Sequence, residues 1–400
     1  MNNTVTVKTG WLERMKNSFG GIIVGIILIA AGTVLLWWNE GNFVKTRAAL
    51  NEAQSVTSEL ENINEVNNAN NGQLVHAIGA AETQEELKDP FFGVTTVAIR
   101  LERAVEFFQW VEHKKTETRT RAGGGEEKKI TYSYTQEWTR SPVESSQFGL
   151  PGASEQHKNT VLGNLDKNLK EEKQQAENVT FGAYRLPEFL IDDIRGSEPL
   201  AVELSAEVVA DLSTKLGASD SSSMVHVNGN TVYLGSSPAT PQIGDIRVTF
   251  KQVLPATVSL IAKLCEDTFE PYVAANGRHV GMLSVGTHSL ENMYSQAHSG
   301  NAIITWILRL VGFLAVFIGL TAITAPLAVL ASVIPFLGNL VGVGTWFFSL
   351  LFAVTWSLLV IAVAWLFYRP IIGIILLVVA VGLVVLYSRS RSGKTGVPSV

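Results

Sequence analysis

The residues that most often bind metal ions are scattered along this chain without the spacing of a metal site. No histidine pairs with another or with a carboxylate in a pattern such as H-E-x-x-H; the histidines are His76, His113, His157, His226, His279, His288 and His298. His76 lies in an apolar segment, which is typical of a hydrogen-bonded core histidine. His288 and His298 could converge only through the tertiary fold. The sequence therefore predicts no metal site.

The side chains that could act as nucleophiles, acids or bases also lack partners. Gly-x-Ser-x-Gly is absent, and Cys265 precedes two acids whose negative charge would raise the pKa of its thiol. Asp192 and Asp193 are adjacent and point apart in most backbones, whereas Asp245 and Glu137 stand alone. Neither G-x-G-x-x-G nor a P-loop is present. These patterns predict no enzyme activity, no catalytic residue and no bound cofactor.

Arg309 is an isolated charge within the otherwise apolar stretch 303–323. An Arg at the centre of a hydrocarbon core costs about 2.5–3.5 kcal/mol. Two interpretations remain open. The long side chain could reach the outer headgroups, or it could pair with an acid of a polar domain lying on the bilayer and fix that domain to the helices.

Two uncharged runs predict that the chain crosses a membrane several times. Residues 310–368 contain no Asp, Glu, Lys or Arg over fifty-nine positions, and residues 17–39 form a second such run. Because a helix rises ~1.5 Å per residue and the hydrocarbon core is ~30 Å thick, the long run could cross nearly three times and the short one once.

We predict four transmembrane helices, at residues 19–38, 303–323, 346–367 and 371–387. A Trp pair and Asn39 follow the first span in place of a cleavage site, so we interpret it as a permanent anchor. Arg369 lies in a three-residue connection that makes the last two spans a hairpin. The stretch 324–345 is rich in Pro and Gly, which predicts an interfacial segment on the cytoplasmic side.

The charge distribution predicts the orientation. Residues 39–300 contain 23 basic and 35 acidic residues, a net charge of −12, whereas the N-terminus (1–18) and the tail (388–400) are basic. Since Lys and Arg near span ends are retained in the cytoplasm, both termini should be cytoplasmic and residues 39–300 should form an extracytoplasmic or luminal domain. An acidic domain of this kind also argues against nucleic acid as a partner.

The polar domain reads as α+β, because its predicted strands and helices follow no regular β-α-β order. Strands are predicted at 73–80, 94–101, 245–253, 256–264 and 279–285, and helices at 43–60, 161–178 and 200–216. Cys265 has no disulfide partner, since it is the only cysteine.

A long hairpin is the clearest prediction within this domain. Residues 104–116 and 130–140 alternate with period two around the Gly-rich stretch 121–129. Phe108 and Trp110 share a face of the first arm, and Tyr132, Tyr134 and Trp138 share one of the second. This aromatic face could pack against the core or a neighbouring subunit, or it could form a platform for a ligand or headgroup.

Nine short segments, in order, make the chain similar to the LUMA family, also called transmembrane protein 43. They are Asn39-Glu40-Gly41; Leu74-Val75-His76 with Ile78-Gly79-Ala80; Asp89-Pro90 with Gly93-Val94; Gln109-Trp110-Val111-Glu112; Tyr132-Ser133-Tyr134 with Glu137-Trp138; His157-Lys158-Asn159; Gly244-Asp245 with Arg247-Val248 and Phe250; Trp306 with Leu308-Arg309; and Trp365 to Pro370. The resemblance implies four spans, a luminal domain between the first two, and self-association. Thr160, where family members carry Pro, and the uncharged stretch 324–345 depart from the family pattern, and we interpret the chain as a microbial member.

These observations predict a non-enzymatic membrane scaffold that organises protein complexes and membrane structure. Its expected partners are the lipid bilayer, further copies of itself and other membrane proteins. The alternatives are a channel or transporter, or a lipid-handling membrane protein. The expected location is a bacterial inner membrane with a periplasmic domain, or in a eukaryote the endoplasmic reticulum and inner nuclear membrane, where the family resemblance implies a role in nuclear-envelope organisation.

Overall fold

The computed structural model describes residues 3–160, 169–216 and 224–369. The chain divides into two compact units. The domain unit comprises Met1–Thr6, Glu52–Glu117 and Lys129–Tyr294. The helical unit comprises Val7–Asn51, Thr118–Lys128 and Ser295–Val400.

The described helices are α1 (Trp11–Val56), α2 (Ala153–Gln156), α3 (Glu188–Ile191), α4 (Ala206–Lys215), α5 (Leu290–Ala331) and α6 (Pro335–Tyr368). The described strands are β1 (Thr4–Thr9), β2 (Ser58–Glu59), β3 (Leu74–Glu82), β4 (Glu86–Lys88), β5 (Thr95–Val97), β6 (Arg100–Thr120), β7 (Glu126–Thr139), β8 (Glu172–Gln175), β9 (Thr180–Phe181), β10 (Tyr184–Arg185), β11 (Glu198–Pro199), β12 (Val225–Asn228), β13 (Thr231–Leu234), β14 (Ile246–Val253), β15 (Ala256–Cys265), β16 (Thr268–Glu270), β17 (Tyr272–Val273), β18 (His279–Val280) and β19 (Met282–Val285). The class is α+β, as predicted.

Among the residues that the structure describes, three helices are long and apolar enough to cross a membrane: α1, α5 and α6. They contain the predicted spans 19–38, 303–323 and 346–367, and the fourth predicted span, 371–387, lies outside the described residues. The predicted interfacial stretch 324–345 is almost entirely helical, because α5 continues through Pro326 to Ala331 and α6 begins at Pro335. Only a short turn separates these two helices.

The first sheet of the domain unit is built around β6. Its strand order is β1-β7-β6-β14-β13-β12, with β11 beside β14 and β8 beside β6. Along β6, Leu101, Val105 and Phe107 are buried and alternate with partly exposed residues, which is the period-two pattern of a strand with one face on a core.

The second sheet closes on itself through its shortest strands. β15 pairs with both β3 and β16, and the ring is completed through β10 and β9. β19 and β2 extend the sheet outside this ring. Closure removes free edges from the five ring strands, and their inward residues Val258, Leu260 and Ala262 are fully buried in the domain core.

The predicted helix at 161–178 is wrong over its described part. Residues 172–175 form β8, whose backbone pairs with β6 in the register Arg103↔Glu172 to Arg100↔Gln175. The helix-forming residue types are overridden there by an available strand edge. The helix predicted at 200–216 is shorter than expected and begins after Ser205, whose hydroxyl accepts a hydrogen bond from the Val208 N–H.

Candidate functional site

A buried carboxylate joins the three long helices at one end of the helical unit. Glu40 follows the apolar part of α1 and its side chain is 0% exposed. Glu40 Oε1 accepts a hydrogen bond from Arg309 Nε at 2.6 Å, and Oε2 accepts one from an Arg309 terminal nitrogen at 2.9 Å. This bidentate ion pair joins α1 to α5. Each charged group gains hydrogen bonds from the other in place of those that it would make with water.

The third helix supplies a further hydrogen-bond donor to the Glu40 carboxylate. The Trp365 indole of α6 donates to Glu40 Oε2 at 2.8 Å. Both carboxylate oxygens therefore have donors from α5, and one has a second donor from α6. We refer to Glu40, Arg309 and Trp365 as the polar lock.

Amide side chains reinforce the α1–α5 contact beside the lock. Asn39 Nδ2 donates to the Thr305 carbonyl at 3.0 Å, and Asn301 Nδ2 donates to the Phe43 carbonyl at 3.2 Å. Asn39 is fully buried, and its Oδ1 has no donor among the residues that the structure describes.

The end of α6 packs closely on α1 through aromatic rings. A Cβ at Gly41 would lie 2.5 Å from Tyr368 Cζ, so a larger residue at this position would force the ring to move. The Trp37 ring lies 5.6 Å from Phe367 and 5.8 Å from Tyr368, centroid to centroid. The guanidinium of Arg369 lies 4.9 Å from the Phe43 ring centroid.

Glycines allow α1 and α5 to cross at short range below the lock. A Cβ at Gly25 would lie 2.5 Å from the Gly319 carbonyl oxygen, and a Cβ at Gly32 would lie 2.8 Å from the Gly312 carbonyl oxygen. Small residues at such crossings let helix backbones approach in a membrane, where packing rather than the hydrophobic effect drives association.

Arg309 satisfies neither sequence interpretation in full. Its side chain is only 15% exposed and is paired, so it does not extend freely toward a surface. Its partner is an acid, but Glu40 is part of α1 and not of the folded domain unit. The overlooked signal is that Glu40 is the first acid after the first apolar run, as Arg309 is the only charge within the second predicted span.

The aromatic hairpin face is covered by the chain segment that follows β7. The Tyr134 ring stacks on His157 at 4.1 Å, and the Trp110 ring contacts His157 edge-on at 4.7 Å. The Asn159 side chain accepts from the Trp110 N–H at 2.7 Å and donates to the Trp110 and Val143 carbonyls. Packing within the domain unit accounts for this face.

Two residues singled out by the sequence have structural partners. His76 is buried, with Nδ1 2.6 Å from Glu59 Oε2 and Nε2 3.0 Å from the His288 carbonyl, which is the hydrogen-bonded core role predicted for it. The pKa of Cys265 is raised above its usual value, chiefly by its hydrogen bond with Glu270 and further by Glu266, so its thiol is poorly suited to act as a nucleophile.

The predicted lone or adjacent acids do not converge either. Asp245 is buried and accepts from the Tyr233 hydroxyl and the Gln242 N–H. Glu137 lies 2.9 Å from His113 on the exposed side of the hairpin. Asp192 and Asp193 have different surroundings, since Asp192 lies 4.0 Å from Arg100 and Asp193 contacts the Leu283 backbone. Within residues 3–160, 169–216 and 224–369 there is no cluster of three metal-binding side chains.

Comparison with known proteins identifies the family. A profile described as Transmembrane protein 43 matches residues 107–370. Transmembrane protein 43 of Homo sapiens is 32% identical over 97% of this chain and 95% of its own length. The rat protein of the same name is 32% identical over 90% of this chain and 88% of its own. This chain belongs to the transmembrane protein 43 family. The Drosophila melanogaster homologue of that name is 27% identical over 94% of this chain and 96% of its own. No solved structure matches the chain.

Part of the resemblance to the family lies at the polar lock. Three of the nine segments that carried the resemblance, Asn39-Glu40-Gly41, Trp306 to Arg309 and Trp365 to Arg369, supply the residues of the polar lock and its surrounding rings. The first segment is more than two hundred residues from the other two in sequence, and the helical unit brings all three together. The relatives do not indicate the source of this chain, and a microbial origin stays a prediction.

Proposed function

We propose that this transmembrane protein 43 family member is a non-enzymatic membrane scaffold. The observation that carries the proposal is that the charged groups of the polar lock are paired with each other. Its carboxylate oxygens, guanidinium and indole are paired with one another across three helices, whereas a channel or transporter lines its pathway with polar groups available to an ion or substrate. A rigid helical anchor suits a protein that holds partners in position.

The proposed disposition is four spans with cytoplasmic termini and an extracytoplasmic or luminal domain. The acidic balance of residues 39–300 and the basic ends support it. In a eukaryotic cell this corresponds to the endoplasmic reticulum and inner nuclear membrane, with a role in nuclear-envelope organisation, and in a bacterium to the inner membrane.

The proposed mode of assembly is self-association through the domain unit. The aromatic hairpin is covered by its own chain, so it no longer supports this step. The edge of the first sheet does: among the described strands β12 pairs only with β13, and Val227 on β12 is 41% exposed. An exposed edge strand can accept a strand from a second copy.

Charge introduced at this edge tests the assembly. We expect Val227→Lys to lower the particle mass of the detergent-solubilised protein from oligomer to monomer, because edge charges block strand addition. Val273→Lys is the matched control, since Val273 is 55% exposed on the separate β17–β18 ribbon. A wild-type protein that stays monomeric at every concentration in native-membrane cross-linking would refute self-association.

Removal of Arg309 distinguishes the scaffold from its main alternative. A scaffold whose lock is structural predicts that Arg309→Ala lowers protein abundance and thermal stability. A channel, transporter or lipid-handling protein predicts altered flux in reconstituted vesicles with assembly and abundance intact, and that result would displace the scaffold proposal.

A further inference from the structure

The helical unit contains an excess of positive charge around the polar lock. Arg369 experiences the like charges of Arg47 and Arg309 together with the opposite charge of Glu40, and His298 experiences that of Arg47. From residue 295 to the C-terminus the sequence contains no acid, and residues 39–51 contain only Glu40. The single negative charge of Glu40 is balanced by the positive charge of Arg309, so the second arginine leaves a net positive charge in this part of the helical unit.

Arg369 forms no ion pair with any of the residues that the structure describes. Its side chain is partly buried, and its described contacts are with the faces of aromatic rings, Phe43 at 4.9 Å and Trp365 at 5.4 Å from the guanidinium carbon. A guanidinium has five N–H donors, and contacts with the faces of aromatic rings satisfy none of them as a strong hydrogen bond. No acceptor for these donors is present among the residues that the structure describes.

The surrounding aromatic residues indicate how deep in the membrane the N–H groups of Arg369 lie. Trp37, Trp306, Trp365 and Tyr368 surround the cluster, and Trp and Tyr are enriched where a helix meets the lipid headgroups. The acceptor available at that depth is the phosphate of a phospholipid. Arginine binds phosphate through two parallel N–H···O bonds, which suits these N–H groups.

We propose that Arg369 binds the phosphate of an anionic phospholipid at the end of the helical unit formed by residues 39–47, 301–309 and 365–369. Arg47 lies one helical turn after Phe43 on the same face of α1, so its positive charge adds to the attraction. The negative headgroup supplies the missing counter-charge, and Arg309 adds long-range attraction while it remains paired with Glu40. This lipid site does not depend on the proposed self-association, since it lies entirely within the helical unit.

Lipid-dependent stabilisation of the purified full-length protein tests the site. We expect phosphatidylglycerol added to the delipidated protein in detergent to raise the apparent unfolding temperature, with phosphatidylcholine giving a smaller rise and inorganic phosphate none. Equal stabilisation by phosphatidylglycerol and phosphatidylcholine would overturn the proposal without any variant. Equal stabilisation by inorganic phosphate and phosphatidylglycerol would overturn the assignment to lipid.

Variants locate the effect. Each arginine near an anionic headgroup contributes roughly fivefold in affinity, so Arg47→Gln combined with Arg369→Gln should weaken phosphatidylglycerol binding roughly twenty-fivefold. Arg369→Lys should bind more tightly than Arg369→Gln, because it keeps the charge. Arg140→Gln is the control, since Arg140 is 77% exposed in the domain unit. Unchanged binding by the double variant would overturn the proposal, and particle mass measured in parallel separates this outcome from a failure of assembly.

Discussion

Glu40 places a negative charge in a fully buried position. The protein tolerates this charge because Arg309 and Trp365 bind the carboxylate. Removing one partner of a buried ion pair leaves the other charge uncompensated, which costs far more than the net value of the pair itself. The polar lock is therefore a site where single and double substitutions should behave differently.

We expect Glu40→Ala to destabilise the helical unit by about 3–5 kcal/mol, because Arg309 is left without its counter-charge. Glu40→Leu combined with Arg309→Met should recover most of that loss, since neither charge then remains. Heat-induced unfolding in detergent measures both, with Glu155→Ala at an exposed position as the control. A single substitution no more harmful than the control would contradict the role assigned to the lock.

Asp193 provides a pH-dependent prediction in the domain unit. Burial raises the pKa of its carboxyl above the usual value, and Arg195 opposes this in part. A folded-state pKa above the unfolded value means that the stability associated with the protonated form is lost as pH rises through the folded pKa. Asp193→Asn should therefore raise the unfolding temperature at neutral pH and leave it unchanged below the unfolded pKa.

Asp192→Asn is the matched control for this pH series. Asp192 is 63% exposed and lies 4.0 Å from Arg100, so its substitution should not stabilise the protein at neutral pH. If the two variants showed the same pH profile, burial of Asp193 could not be the cause.

At the scale of elements, the close crossing of α1 and α5 makes glycine position-specific. We expect Gly25→Ala to destabilise the helical unit by about 1–3 kcal/mol, because its Cβ would meet the Gly319 carbonyl at 2.5 Å. Gly20→Ala has nothing within 4 Å of the added Cβ, so it should be neutral or stabilise the helix. Both variants make the same Gly→Ala change on α1, and thermal unfolding and protease resistance measure their effects. Equal effects would show that α1 and α5 are not closely packed at Gly25.

The elements that the sequence predicts well are those whose pattern is strong and local. The arms of the hairpin alternate over more than ten residues, and the structure places β6 and β7 there. Residues 172–175 mislead because Glu, Lys and Gln favour helices locally, while the edge of β6 decides their conformation. The polar lock depends on three helices meeting, so sequence could identify Arg309 as unusual but could not name Glu40 and Trp365 as its partners.

At the scale of the whole molecule, one group of contacts conflicts with the proposed orientation. Within the helical unit, Arg14 Nε lies 3.2 Å from Glu126 at the hairpin tip, and the Gly123 N–H at the tip donates to the Val333 carbonyl at 3.1 Å. β1 also pairs with β7. The proposed orientation puts residues 1–18 in the cytoplasm and residue 126 on the opposite side.

A bilayer around α1 and α5 would separate these groups. For the tip to reach Arg14, the hairpin arms would have to cross the hydrocarbon core with the charges of Lys114, Lys115 and Glu117 and with unpaired strand edges, which a lipid environment does not tolerate. We give the uncharged run of fifty-nine residues and the charge asymmetry more weight than these tip contacts, so we retain the orientation and expect the tip contacts to be absent in membranes.

Side-specific labelling decides this question. In a Cys265→Ser background, we expect a membrane-impermeant maleimide to label Glu126→Cys in sealed vesicles with the extracytoplasmic or luminal face outward, and Lys8→Cys only in vesicles of the opposite orientation. The physical reason is that the apolar part of α1 between these positions is long enough to span the hydrocarbon core once. Labelling of both cysteines from one side would mean that the hairpin tip and the start of α1 lie on the same side of the membrane, and the proposed orientation would then be wrong.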